Sequence, residues 1–356
     1  MPYLDHASAT FTKLEVLDEF CRVEREFIAN VQANHVFGER ARAEFEKNKA
    51  KIADLAECKA ENVIFTSSAT ESNVLAIKSA IKRRRKGHII TSFLEHPSIT
   101  AALAELQEAG CEIDFVEIDK AGKIDLEHLE ELLHENTALI TVPLVDSELG
   151  AVQHIVQIAD ILKKYPNCHF HVDAAQAVGK VPVNFIGMDT LSASPHKFNG
   201  ICGIGILFSR YEIEHRGTQP LALAASAAVA WQLAEGARVE NVQIAQNLNE
   251  DLRKFLAKYP KVKINSPLDS THILNISVLG IKSADFVKSL NELGVCVSIK
   301  STCDTTNTPS RPVFAITADK KRALSSWRIS FSHATKIDEI EEFMELFDIC
   351  YKKWIG

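Results

Sequence analysis

The sequence predicts an α/β fold: a largely parallel sheet between helices, followed by a smaller C-terminal α/β unit. Three observations carry this. A chain of 356 residues exceeds one compact domain. Its 46% hydrophobic and 24% charged residues are the balance of an ordinary globular protein. From Glu61 onward, short apolar runs rich in β-branched residues alternate with amphipathic stretches of helical length. That alternation is the mark of parallel strands joined by helical crossovers.

Taken in order, NVIFTSS predicts a strand and 70–85 a helix. HIITS is the next strand, backed by a helix over 97–109. EIDFVEI precedes the helical DLEHLEELL, and ALITVPLV precedes a helix near 156–164. CHFHVDAA is again a strand, and GIGILFS another after a loop. A helical region over 220–259 then changes the texture. HILNISV, a helix over 283–293, VCVSI, SSWRISF and a last helix over 336–353 make the smaller unit. The seam falls near 235–245, so 13–238 form the large domain and 1–12 with 239–356 the small one. Ligands of open α/β sheets sit beyond the carboxyl ends of the strands, which is where chemistry is sought.

Composition excludes several functions. With 40 basic and 47 acidic residues, the net charge of -7 argues against non-specific nucleic-acid binding. The longest mostly apolar stretch, 221–234, is broken by Ser226 and Gln232 and is shorter than the roughly 20 residues of a membrane span. MPYLDHASAT has no basic region followed by an apolar run, so no secretory signal is read and a cytoplasmic protein is expected. The eight cysteines are scattered without a CxxC pair, so neither a zinc site nor a disulfide scaffold is expected. A thiol that matters must act singly.

Six local patterns have the residue types for chemistry, each with a plainer reading beside it. Lys197 in SASPHK follows a strand among hydroxyls and a histidine, a setting for a Schiff base with an aldehyde; the plain reading is a loop lysine. Asp173 ends an apolar strand and needs a cationic partner, with Gln176 on the same turn; it also suits a helix N-cap. FTSSATES turns from strand to helix through small hydroxyl residues, an anion site or simple capping. His96 in FLEHPSI stands where an imidazole stacks on a planar cofactor and moves protons, or merely packs. Arg328 in SSWRISF needs a carboxylate, from a ligand or from the chain itself. Cys303 lies in the polar SIKSTCDTTNTPS loop as a candidate nucleophile or an inert thiol.

The order of these patterns is more specific than any one of them. YLDHASAT, FTSSATES, HIITSFLEHPSI, LVDSELGAVQ, HVDAAQAVGKVPV, SASPHKFNGICGIGILF, RGT and RALSSWRISF run nearly end to end. The chain resembles the class V aminotransferases and, within them, the NifS-like cysteine desulfurases. The resemblance implies a fold-type-I transferase dependent on pyridoxal 5'-phosphate, with a mainly parallel seven-stranded sheet in its large domain. It implies a homodimer with the active site at the interface. Lys197 would bond the cofactor aldehyde. Ala69, Thr70, Ser194 and His196 would hold the phosphate, together with Thr218 from the second subunit. Asp173 would hold the pyridine nitrogen, Gln176 and the position of Ser147 the ring oxygen and ring, and His96 the ring face. Arg328 would grip the carboxylate of L-cysteine. Cys303 would accept the sulfur as a persulfide, helped toward the thiolate by Lys300 and a protonated His96, and hand it to a sulfur-acceptor protein.

The chain also departs from that pattern. Asp146-Ser147 replaces a pair of asparagines, His215 stands where an arginine is usual, and 209–216 is short. Ile299-Lys300-Ser301-Thr302 precedes the cysteine in place of small residues. These changes cluster on the substrate side. They leave open a selenocysteine or cystine lyase, an aminotransferase or a non-catalytic sulfur-relay homologue.

Overall fold

The computed structural model describes residues 1–82, 87–214, 217–300 and 308–355. Its larger sheet holds β1 (Val63–Thr66), β2 (His88–Ser92), β3 (Glu112–Val116), β4 (Thr137–Pro143), β5 (His169–Asp173), β6 (Thr190–Ala193) and β7 (Gly205–Ser209). The seven run in the order β1-β7-β6-β5-β4-β2-β3. β7 is antiparallel to β1 and β6, and the remaining pairs are parallel. β2, β4, β5, β6 and β7 are buried along their whole length, and β4 and β7 are correspondingly apolar in sequence.

Helices flank this sheet. α1 (Leu14–Glu26) and α2 (Val36–Leu55) precede β1, and α3 (Ala69–Lys82), α4 (Pro97–Glu108), α5 (Leu126–Leu132) and α6 (Ile155–Leu162) connect the strands. The apolar stretch noted in the sequence is α7 (Leu221–Gly236), packed against α1 and α2. Ten of its sixteen residues are buried, so it is a core helix. Among the described residues no helix is long and apolar enough to cross a membrane.

After α8 (Arg238–Leu256) come β8 (Val262–Ile264), β9 (Ile273–Val278), α9 (Ser283–Glu292), α10 (Arg311–Thr317), α11 (Lys320–Leu324), β10 (Ser326–Ser330) and α12 (Ile337–Ile355). The second sheet is antiparallel, in the order β10-β9-β8. VCVSI, expected as a strand, makes only single bridges, Cys296 to Tyr3 and Ser298 to Arg328. One bridge is parallel and the other antiparallel, and neither extends into a ladder. Val295 and Val297 are buried there as core residues. The four-residue β6 escaped the sequence reading because half of it, Thr190 and Ser192, is polar. Leu4 packs with Leu252, Ile276, Trp327 and Phe347 in the second core, while Val16 through Ala234 supply the first.

Candidate active site

The carboxyl ends of the strands meet at a cavity of about 190 Å³. Ala69, Thr70, His96, Ser147, Asp173, Gln176, Ser194, His196, Lys197 and Arg328 all line it. They arrive from several elements. Ala69 and Thr70 open α3, whose first backbone N–H groups have no partner within the helix. Gly205 of β7 lets this turn sit close, since a Cβ there would come within 2.2 Å of the Ser68 carbonyl carbon. Ser68 Oγ caps the helix by accepting from Glu71 N at 3.2 Å, so capping and an anion site coexist here.

Asp173, the last residue of β5, is buried and held from three sides. Oδ2 accepts from Asn73 Nδ2 at 2.9 Å, and Oδ1 from Ala175 N at 2.8 Å and Ser192 Oγ at 3.4 Å. Gln176 Nε2 donates to the Ala7 carbonyl at 2.7 Å, and Lys180 Nζ donates to Gln176 Oε1 at 3.5 Å. The amide is thereby oriented, with a second Nε2 hydrogen to offer a ligand. Lys180 also donates to the Lys197 carbonyl at 3.1 Å. Burial, with Lys197 and Arg328 nearby, lowers its ammonium to about 7. Lys197 itself ends the short 3₁₀ turn Pro195–Lys197 after β6.

His96 caps α4: Ser98 N donates to its Nδ1 at 3.1 Å, and Ser98 Oγ lies 2.8 Å from the same atom. Burial and then the Lys197 charge push His96 down to about 4. The imidazole is therefore neutral at neutral pH, which corrects the protonated His96 expected from the sequence. Burial and Lys197 likewise lower His196 to about 4.

Arg328 reaches the cavity from the middle of β10. Nη1 donates to the Ser147 carbonyl at 2.6 Å, and Nη2 to Asp5 at 3.0 Å and Ser8 Oγ at 2.9 Å. The internal ion pair weighed for this arginine is present, and its buried Nε has no partner. Nearby, Asp146 Oδ2 accepts from the backbone of Glu148 and Leu149, while Oδ1 is buried without a partner. Burial, reinforced by Glu148, raises Asp146 to about 7. Glu95 is also raised well above its ordinary value, by burial and then by Asp173.

Two expected residues stand apart from this cluster. Thr218 is exposed and does not line the cavity. Cys303 lies outside the described residues. Lys300, just before them, is buried with Nζ 2.8 Å from Thr308 Oγ1. Thr308 stands on the rim of a larger, more open cleft of about 960 Å³ beside Phe93, Phe115 and Phe314. Among the described residues no group of three or more His, Cys, Asp or Glu is placed to hold a metal ion.

The class-V aminotransferase family model matches residues 2–216 and 211–343. The chain belongs to the class-V aminotransferase family. It is 32% identical to the NifS/IcsS protein homolog of Lactobacillus delbrueckii subsp. bulgaricus, over 99% of this chain and 97% of that protein. It is equally identical to the cysteine desulfurase IscS of Neisseria meningitidis serogroup C, over 97% of the chain and 90% of the relative. Among solved structures, a NifS-like protein superposes with a TM-score of 0.90 at 27% identity, covering 98% of this chain and 99% of that one. SspA in complex with cysteine gives 0.79 at 29% identity, covering 93% and 99%.

Membership makes this an enzyme of the pyridoxal phosphate-dependent class, and the donor set suits that cofactor. An acceptor at Asp173 matches a pyridinium N–H, the spare Gln176 N–H a phenolic oxygen, and the α3 N-terminus a phosphate. Sequence reasoning missed Asp5, Ser8, Asn73 and Lys180. Three of the four lay inside the stretches that carried the resemblance, and Asn73 stands one residue beyond FTSSATES. For Asp5, Ser8 and Lys180 the available signal was polarity within otherwise apolar or small-residue surroundings; Asn73 had none.

Proposed function

We propose that the protein is a cysteine desulfurase that converts L-cysteine to L-alanine and passes the sulfur, as a persulfide on Cys303, to an acceptor protein. One observation carries the reading: Lys197, Asp173, Gln176, His96 and Arg328 converge on a single cavity. The names of the relatives support it further. Bound there, pyridoxal phosphate supplies an electron sink for charge developing at the substrate Cα. Ala69, Thr70, Ser194 and His196 would hold its phosphate, Asp173 its ring nitrogen, Gln176 its phenolic oxygen, and His96 and Ser147 would serve its ring.

The chain's own groups account for the remainder. Lys197 takes the proton from the substrate Cα and returns one there when alanine forms. Arg328 binds the substrate carboxylate through Nε and Nη2, with Nη2 exchanging its bond to Ser8 for a substrate oxygen. The Cys303 thiolate forms a bond to the substrate sulfur as the carbon–sulfur bond breaks; the electron pair of that bond goes to Cβ, which takes up one proton, equal to the one the Cys303 thiol gave up, to become the methyl of alanine. Of the two helpers expected for this thiolate, His96 is neutral, which leaves Lys300.

The same reading makes the protein a homodimer, with Thr218 serving the second subunit's phosphate. Exposed apolar residues in the first forty positions, Phe11, Leu14, Ile28, Val36 and Phe37, support a covered face. It also divides the chain into 13–238 and 1–12 with 239–356, supported by the two separate cores. Cys21, Cys58, Cys111, Cys202, Cys296 and Cys350 are free thiols, which supports a reducing, cytoplasmic address.

The test is incubation of the reconstituted enzyme with L-cysteine and a reductant, measuring alanine and sulfide. Equal release of both is expected; pyruvate and ammonia instead would make it a β-lyase. Cys303→Ala should lose nearly all sulfide release while still binding PLP, and without reductant the persulfide mass should sit on the Cys303 peptide. Full turnover by that variant, or a persulfide on Cys202, overturns the mechanism. Light scattering that gives a monomer with stoichiometric PLP overturns the shared site.

A further inference from the structure

We propose that Asn73 is the positioning residue of this cavity: its amide nitrogen holds Asp173 and, through Ser98, fixes His96 with its single ring proton on Nε2. Asn73 is buried on α3, one turn from the start of the helix. Nδ2 lies 2.9 Å from Asp173 Oδ2 and 3.1 Å from Ser98 Oγ, and Oδ1 lies 3.1 Å from His171 Nε2. Rotating the amide by half a turn would set its oxygen against a carboxylate oxygen, two acceptors with no hydrogen between them. The nitrogen must therefore face Asp173.

Everything downstream then has one arrangement. Oδ1 can only accept, so His171 carries its proton on Nε2. Its Nδ1 faces the Thr190 hydroxyl at 3.0 Å, and that hydroxyl's one hydrogen reaches it when His169 Nε2, 2.8 Å from the same oxygen, is the donor there. Burial pushes His171 down to about 3, consistent with one ring proton. On the other side, the Ser98 oxygen accepts from Asn73, which leaves the Ser98 hydroxyl hydrogen for His96 Nδ1 at 2.8 Å. The Ser98 backbone N–H points to the same atom at 3.1 Å. Two donors on Nδ1 leave the proton of the neutral ring on Nε2. His96 thus offers the cavity a hydrogen-bond donor, with its basic nitrogen turned into the protein. A ring in that state orients a bound group and does not accept a proton from it. Asp173 and His96, which both line the cavity, are thus set by a single amide, whose own residue lines the cavity between them.

The cofactor arm of this inference rests on reading the cavity as a pyridoxal phosphate site; the proton arrangement does not. The experiment has two parts accordingly. In PLP-free protein labelled with ¹⁵N-histidine, His96 and His171 should each show a protonated Nε2 and an unprotonated Nδ1 from pH 8 down to about 5.5. A protonated Nδ1 on either ring overturns the proposal without any variant being made. Dissociation constants for PLP are then measured by equilibrium dialysis on variants whose melting curves remain cooperative. Asn73→Ala should weaken binding about tenfold, the size of one lost hydrogen bond to a charged group, and should rearrange the His171 signals. Ser98→Ala should move the His96 Nδ1 signal and leave PLP affinity within about twofold, because Asn73 still reaches Asp173. Asn73→Ala binding PLP as tightly as the wild type overturns the positioning role. Wild-type protein that takes up no PLP sinks the reading of the cavity, and the nitrogen spectra still decide the proton arrangement.

Discussion

Around α3 and the end of β5, the polar atoms of Asp173, Asn73 and Gln176 meet partners supplied by the protein. Around the 146–150 turn and β10, Arg328 Nε and Asp146 Oδ1 are buried without one. A satisfied buried network is rigid, because each bond fixes the direction of the next. An orphaned buried donor or acceptor instead stores a cost that a ligand can relieve. The first region is a preformed cradle, and the second is where binding has something to gain. The sequence departures Asp146 and Ser147 fall in the second region, so the cradle has kept its pattern where the substrate side has changed.

Removing Arg328 breaks this contrast most severely. Arg328 is 1% exposed and pairs with Asp5, whose side chain is 19% exposed. Arg328→Ala should lower kcat/KM for L-cysteine by about 10³-fold, since a charged pair to the substrate carboxylate is lost. It should also lower stability by roughly 3 kcal/mol, because Asp5 is left without its cation. Steady-state kinetics and a urea titration measure the two separately. A large loss of stability with unchanged KM would assign Arg328 to the internal ion pair alone.

Asp146→Asn sharpens the contrast from the other side. The folded-state value of Asp146, about 7, stands above the ordinary 3.8. The fold thus holds this proton more tightly than the unfolded chain does. Its stabilisation is fully present below about pH 4 and is lost as pH rises through 7. Asp146→Asn removes that dependence and restores an amide able to donate. The variant should match the wild type near pH 4 and exceed it by about 4 kcal/mol at pH 8. Chemical denaturation across that range measures it. A difference independent of pH would show that Asp146 does not titrate there.

The same division governs what the sequence revealed. Strands such as HIITS and CHFHVDAA were legible because burial on both faces demands continuous apolar residues. Asp173 and His96 were legible because each ends or follows such a strand, and Lys197 because of the hydroxyls and histidine around it in SASPHK. Asn73 was not. A helix carries polar residues on its outer face so commonly that one turned inward leaves no local trace. VCVSI misled for a related reason: composition reports burial, and burial came here from core packing rather than from a ladder. Nor did the sequence show that Arg328 already has Asp5, since 323 positions separate them.

The smallest expected effect concerns Ser147, whose carbonyl accepts from Arg328 while the residue itself lines the cavity. The family pattern has an asparagine here that bonds the cofactor ring. Ser147→Asn leaves the backbone contact to Arg328 in place and adds an amide on the cavity side. One added neutral hydrogen bond is worth about 1 kcal/mol net, so PLP affinity should tighten about fivefold. Stability without PLP should move by less than about 0.5 kcal/mol, as for a change outside the core. Equilibrium dialysis and melting curves give both numbers. Tighter PLP with unchanged KM for L-cysteine would place position 147 with the cradle. Weaker PLP with a shifted KM would mean that the 146–150 turn has been reshaped around a different substrate group, and the serine would then belong to the side that changed.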